Sequence, residues 1–440
     1  MDLEEHARSF VQSGLTPEQI IEKMKELTGS EAAAKAILVE VENTENLPSG
    51  FISMLCSFPR TGFFASDSGL GCRGEGDFLI HHTLAELIGP TDAVVDARQQ
   101  DDGGIIKADH GFISAAVDGM HSRLSHFPFL AGFHAARAAI RDVVVMGARP
   151  LAILSDIHIA NDGDIGKILD YTAGAGAVSD LLNVPLIGGS TLRIGGDLVT
   201  GDRLTGCIVS FGTATNLTAR KNAQAGDVLV MMEGTGGGTI STTALYNGQP
   251  EVMLETLNVK SIAACMEMLQ TPLAEKIHSM TDITNGGIRG DAFEFGSTAE
   301  VKVVFNQEKV LELISPKILK MLNELDIDPL GISTDALLFT LKPEDSDELI
   351  QFLSKRGLKA QRVGHIEHGS GVQIITDEDK DTRLDLQTRF REAPYTPLKK
   401  VVDDSSVDIN ELKNALKTAR KDTLNKKIQV LEWIKAERKN

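Results

Sequence analysis

Between Asp101 and Asp118 the chain commits itself to a tight reversal, and this constrains the fold more than any other stretch. Asp109-His110-Gly111 is a turn tripeptide, flanked by the candidate strands Ile105–Ala108 and Phe112–Asp118. Centring the turn on His110 pairs Ala108 with Phe112 and carries Asp102 opposite Asp118, each eight residues from the centre. Directly opposed residues share a face, with Cβ atoms roughly 4.5–5.5 Å apart. Two like charges there are destabilising unless something positive sits between them. Magnesium is a hard cation that prefers carboxylate and phosphate oxygens, so Asp102 and Asp118 are candidate metal ligands. The alternative is that both merely flank turns.

Around this hairpin, strands and helices alternate. Further candidate strands are Ala93–Asp96, Leu151–Ile159, Val184–Gly188 and Leu204–Phe211, and helices fit Phe78–Ile88, Phe129–Met146 and Ile165–Leu182. A second unit opens at Ala225-Gly226-Asp227 with strand Val228–Met232. It continues through helices near 239–246 and 258–270 and strands Val301–Phe305, Asp335–Leu341 and Lys359–Ile366. Hairpins mixed with helices indicate α+β layers and argue against a doubly wound parallel sheet. The expected organisation is a helical appendage over 1–50, a first domain over 51–212, a second over 213–393, and a linker with a basic helical tail over 394–440. In the appendage, Thr16-Pro17-Glu18-Gln19 reads as a helix start: threonine cap, proline at the first position, glutamine at the third. The appendage is a packed add-on or a docking element. The tail is an amphipathic helix folded back on the acidic body, or an oligomer-forming one.

Composition narrows the partners. The net charge of −18 disfavours nucleic acid and anionic membranes, while a bound divalent cation can still admit ATP. The cysteines Cys56, Cys72, Cys207 and Cys265 form no CxxC pair, which argues against structural zinc and fits a reducing, cytoplasmic setting. The start, MDLEEHARSF, shows no signal peptide, and no uncharged apolar run reaches the roughly 18 residues of a membrane span.

Three more acidic or glycine-rich stations follow the hairpin. Asp142 lies in the last turns of a helix stopped by Gly147, where a negative charge opposes the helix dipole. It calls for a cation, or for a salt bridge to Arg137 or Arg141. Gly188-Gly189-Ser190-Thr191 follows an apolar strand, where backbone N–H groups can approach phosphate oxygens, although most Gly-Gly pairs are plain turns. Asp282 precedes a helix beginning near Asn285 and Gly286, whose free N–H groups can face an anion. Gly234–Gly238 reads GTGGG; it lacks the Gly-Lys-Ser/Thr ending of a P-loop and does not match GxGxxG.

In this order, DDGG (from Asp101), AAVDGMHS, DVVVMGARP, GGST, AGDVLVMME and TDITNGGIRGD resemble the aminoimidazole ribonucleotide synthase superfamily over roughly residues 65–370. That superfamily includes thiamine-monophosphate kinase, selenophosphate synthetase and a hydrogenase maturation dehydratase. The resemblance implies a two-domain aminoimidazole-ribonucleotide-synthase-like fold, a homodimer through the first domains, and ATP in a cleft near the domain junction. It implies that Asp101, Asp102, Asp118, Asp142 and Asp282 hold magnesium against phosphates. It also implies that the loop Gly69–Gly76, with Gly71 and Gly74, closes over phosphate. Departures from the pattern are Ser190 where kinase members carry aspartate and Asp282 where the synthase carries histidine. Arg73 also follows Cys72 without the lysine that accompanies the reactive cysteine or selenocysteine of selenophosphate synthetases. The pattern looks most like the synthase-related branch found in archaea and some bacteria.

The expected activity is ATP- and magnesium-dependent phosphoryl transfer to, or activation of, a small-molecule acceptor. Such transfer needs charge neutralisation and positioning more than a covalent residue. The alternatives are a non-catalytic nucleotide-binding regulator or scaffold, and sulfur or selenium activation through Cys72. His121, His126 and His134 fall near the expected cleft and receive no role.

Overall fold

The computed structural model describes residues 1–377, 382–391, 394–402 and 407–437. Its first sheet contains β1 (Gly104–Lys107), β2 (Phe112–Gly119), β3 (Arg149–Ile159), β4 (Leu186–Arg193) and β5 (Leu204–Ala214), in the order β1-β2-β5-β3-β4. All pairings are antiparallel except β3 with β4. Helices Pro128–Val145 and Gly166–Leu182 cover one face, contributing Ile140, Val144, Ala175 and Val178 to a core with Ile153, Ile157 and Ile208. The helices approach so closely because glycines meet where they cross. A Cβ on Gly132 would lie 2.0 Å from the Tyr171 carbonyl oxygen, and one on Gly174 equally close to that of Phe129. The other face of the sheet is bare and apolar, exposing Ile106, Ile113, Val117, Ile187 and Leu192.

The second sheet adds β6 (Val228–Met232), β7 (Ile277–Ile283), β8 (Lys302–Asn306), β9 (Ala336–Leu341), β10 (Ala360–Glu367), β11 (Gly371–Asp377) and β12 (Thr382–Asp385). Their order is β12-β11-β8-β10-β6-β9-β7, and only β8 with β11 is parallel. Both faces of its centre are packed. Along β6, Val230 and Met232 join the core shared with the first layer of helices, while Leu229 and Met231 join a second core with Ile288, Phe295 and Val363. β9 divides the same way, with Phe339 on one side and Leu338 on the other. The expected α+β class is therefore what forms.

Helices Leu3–Gln12, Pro17–Thr28 and Glu31–Glu45 build a small core of their own around Ile20, Met24 and Leu38. Thr16 and Gln19 form the reciprocal cap expected from their spacing. Leu3 N–H donates to the Leu198 carbonyl (2.8 Å), tying this unit to the loop before β5. Helix Ile409–Glu437 folds back on helix Glu75–Ile88, with an Arg420–Glu86 ion pair and Trp433 stacked on Phe51.

Two expectations need correction. The hairpin pairs Lys107 with Phe112, one residue out of the expected register, because Gly111 takes a left-handed conformation (φ +87°) and the reversal occupies four residues. The segment Ala93–Asp96 supplies only an isolated bridge from Val95 to Ile105.

Candidate functional site

The register slip removes the direct opposition of Asp102 and Asp118. Asp118 pairs with Ile208 of β5, and Asp102 lies ahead of β1, outside the ladder. Tertiary structure nevertheless gathers the acidic residues. Asp101 and Asp102 come from the loop before β1, Asp118 from the end of β2, Asp142 from helix Pro128–Val145, and Asp282 from the end of β7. All five line one cavity of about 420 Å³, together with Arg73, Arg141, Thr284 and Asn285.

Guanidinium groups already enter this acidic cluster. Buried Arg220 reaches Asp102 at 2.5 Å, and its backbone N–H donates to Asp101 at 2.9 Å. Arg141 pairs with Asp142 (3.1 Å), Asp335 (3.2 Å) and Asp282. The argument that paired aspartates demand a metal therefore weakens, since arginines meet part of the demand. Among the described residues, no three His, Cys, Asp or Glu side chains converge as a ready metal site. Neutralisation is incomplete, however. Burial, reinforced by Asp282 and Asp101, pushes the Asp102 carboxyl up to about 7. Burial, with Asp282 and Asp335 nearby, pushes Asp118 up to about 6, and burial raises Asp142 well above the carboxylate range. Five carboxylates against Arg73 and Arg141 on the lining and the buried Arg220 behind it leave the cluster short of positive charge, and a divalent cation fits that shortage.

A second cavity of about 410 Å³ shares Asp118, Arg141, Thr284 and Asn285 with the first. Its remaining wall includes Gly71, His121, Arg123, Tyr395 and Lys399. His121 Nε2 lies 2.8 Å from the Tyr395 hydroxyl, and Nδ1 lies 3.0 Å from that of Thr242. Burial, with the charges of Lys399 and Arg123, pushes the His121 imidazole down to about 4. Lys399 Nζ also stands 4.0 Å from Cys72 Sγ, so a lysine does accompany this cysteine, from far along the chain.

The glycine-rich loop divides. The Asp77 carboxylate accepts the N–H groups of Gly71 and Arg73, each at 3.0 Å, holding Gly71 at the second cavity. Gly74 instead lies beneath the segment Arg389–Arg391: a Cβ there would be 2.4 Å from the Arg389 and Phe390 carbonyl oxygens. Asn285 lines both cavities and accepts the Thr239 hydroxyl at 2.7 Å. Gly286 caps helix Gly287–Ala299 with φ +91° and borders a small adjoining cavity beside Cys72. The third station is displaced. Gly188, Gly189, Ser190 and Thr191 lie inside β4, not in a loop, and line neither cavity of the same chain. Gly189 is there for close strand packing, since a Cβ would meet the Ser155 carbonyl oxygen at 1.9 Å.

Buried arginines do much of the local electrostatics. Arg137 pairs with Asp335 at 2.7 Å, and Arg141 does pair with Asp142, one of the two arginines expected as partners. Two arginines four apart inside a largely apolar helix are a legible signal of buried partners. Arg220, Tyr395 and Lys399 carry no such local signal.

Comparison with known proteins identifies the family. The AIR synthase related protein N-terminal domain matches residues 100–213, and the C-terminal domain of the same family matches 224–377. The uncharacterized protein MJ1416 of Methanocaldococcus jannaschii is 46% identical, over 100% of this chain and 99% of that protein. The chain belongs to the AIR synthase related family. Within reach of this family is selenide, water dikinase of Myxococcus xanthus, 26% identical over 54% of this chain and 69% of the enzyme. Among solved structures, hydrogenase maturation protein HypE in complex with ATP superimposes with a TM-score of 0.54 at 16% identity. That likeness covers 66% of this chain and 89% of HypE and establishes shared AIR synthase-like architecture. Among the described residues, no helix is long and apolar enough to cross a membrane.

Proposed function

We propose that this protein binds magnesium and ATP in the carboxylate cavity and transfers a phosphoryl group to, or thereby activates, a small molecule held in the adjoining cavity. One observation carries the reading. Five aspartates from four separated segments converge on one cavity, which shares Asp118, Arg141, Thr284 and Asn285 with a second. Family kinship with a dikinase, and the ATP complex of a HypE protein of the same fold, support it. Asp102, Asp118 and Asp142 would hold the metal, whose charge would offset that of the phosphates. Arg141 sits at the shared wall, where it can meet charge developing between donor and acceptor. The bare apolar face of the first sheet supports a homodimer formed there.

The test is calorimetry with magnesium and ATP, coupled to ADP release across candidate acceptors. Binding with acceptor-dependent ADP release supports the reading; no binding at millimolar nucleotide overturns it. A second reading, sulfur or selenium activation through Cys72, draws on the approach of Lys399 Nζ to Cys72 Sγ. A Cys72→Ser variant that binds nucleotide yet has lost all turnover would favour that reading.

A further inference from the structure

The strap formed by Arg389–Arg391 and Pro394–Lys399 lies beyond both matched domains, yet its Tyr395 and Lys399 complete the second cavity. It is fastened to the glycine-rich loop at several points. Glu75 N–H donates to the Arg389 carbonyl (2.9 Å), and Arg391 donates to the carbonyls of Ser66 and Asp67. The Phe390 ring packs against Gly76, and the Tyr395 hydroxyl meets His121. Lys399 lies on the cavity wall, where its ammonium is 4.6 Å from the Tyr395 ring centroid. Arg123 lines the same cavity, its guanidinium stacked 4.3 Å over the Tyr246 ring. Among the described residues, no carboxylate forms an ion pair with Arg123. Neither Lys399 nor Arg123 lines the carboxylate cavity, so their charge faces the second cavity rather than the first.

From this arrangement we infer that the second cavity takes a small acceptor bearing an oxyanion, a carboxylate or phosphate, which Lys399 and Arg123 recognise while Tyr395 and His121 offer neutral polar contacts. The strap is then the specificity element of this chain. The cavity lining also holds Asp118, Asp335 and Arg141, with Arg141 paired to Asp335. Lys399 and Arg123 bring the lining cations to three against two carboxylates, which favours an anionic ligand. Arginine in particular matches planar or tetrahedral oxyanions through paired N–H groups. The inference rests on the phosphoryl-transfer reading, because it treats the second cavity as the acceptor's.

The experiment uses the full chain saturated with magnesium and a non-hydrolysable ATP analogue, titrated calorimetrically with inorganic phosphate and, in a parallel arm, with malonate. The wild type is expected to bind at least one probe, and the stronger one tells phosphate from carboxylate. Lys399→Gln with Arg123→Gln is expected to weaken that binding roughly tenfold or more, with analogue affinity held within about threefold. Lys399→Arg is expected to restore most of it in the Lys399 single background. Absence of binding by the wild type, equal binding by the double variant, or a parallel loss of analogue affinity would each overturn the inference. Should the analogue itself fail to bind the wild type, the proposed function falls. The same probes titrated into nucleotide-free protein then still decide whether the cavity recognises an oxyanion.

Discussion

The two sheets of this molecule solve the same burial problem to different degrees. In the second sheet, alternate residues of β6 and β9 enter two separate cores, so the central strands are buried on both faces. In the first sheet, helices cover one face, and the other leaves Val117 63% and Ile187 59% exposed. A strand buried twice must be apolar throughout. A strand buried once is free to alternate, and an apolar outer face on such a strand signals a missing partner. The candidate site lies where the regions meet. Asp118 ends a strand of the first sheet, Asp282 ends a strand of the second, and helix Pro128–Val145 between them carries Arg137, Arg141 and Asp142.

This contrast can be broken at its strongest point first. Phe339→Ala, at the middle of the doubly buried sheet, is expected to cost about 3–5 kcal/mol, since transfer and cavity terms add. Urea unfolding measures it, and a loss below 1 kcal/mol would show that the doubly buried sheet is not the more tightly packed of the two. At the junction, Asp118→Asn is expected to lower ATP-dependent turnover about a hundredfold or more, because a group facing the transferred charge is lost.

The same variant has a signed pH signature. The folded Asp118 carboxyl is raised to about 6, above its unfolded value. Its contribution to stability is therefore present below the unfolded pKa and lost as pH rises through about 6. In chelator, the stability of Asp118→Asn relative to wild type is expected to be greater at pH 8 than at pH 4. Comparing the two proteins at each pH removes the opposite contributions of His121 and His134, whose imidazoles burial pushes down to about 4 and about 3. A difference independent of pH would mean that Asp118 is not held against its charge.

Smaller effects sharpen the first sheet. Gly132→Ala places a methyl against the Tyr171 carbonyl and is expected to cost about 1–3 kcal/mol by overpacking the helix crossing. Val117→Ser on the bare face is expected to change monomer stability by less than about 0.5 kcal/mol. It should nevertheless weaken self-association in sedimentation velocity. An unchanged association constant would remove the bare face as a dimer surface.

Much of the fold was legible locally. The Thr16 cap, the helix ends near Ile88 and Leu182, and strand Val228–Met232 follow from short-range capping and apolar patterning. The register around His110 was read one residue out, because Gly111 sets an even-length reversal that the tripeptide does not specify. The strand Ile277–Ile283 was overlooked, since its histidine, serine, threonine and aspartate mask a buried edge strand. Of the site, the acidic stations stood out as charges in conspicuous places. Arg220 did not, sitting in an unremarkable TARKN run. Gly188-Gly189 reads as a turn able to approach phosphate, whereas both residues lie in β4 and Gly189 serves strand packing: pattern identifies where a side chain is missing, not which neighbour required its absence.

By itself, the sequence determined the residue types and their order: the aspartates at three of the four stations, the glycines, and the apolar runs that become two sheets. These are local properties, written in composition and spacing over a few residues. Only tertiary structure decided which charges share a cavity. Arg141 meets Asp282 across about 140 positions of chain, Arg220 meets Asp102 across 118, and Lys399 approaches Cys72 across 327. Electrostatic energy depends on distance in space and on burial, neither of which is written in sequence separation. The same aspartate can thus be a solvated turn residue or a carboxylate held near neutral pH, and the packing around it makes the choice.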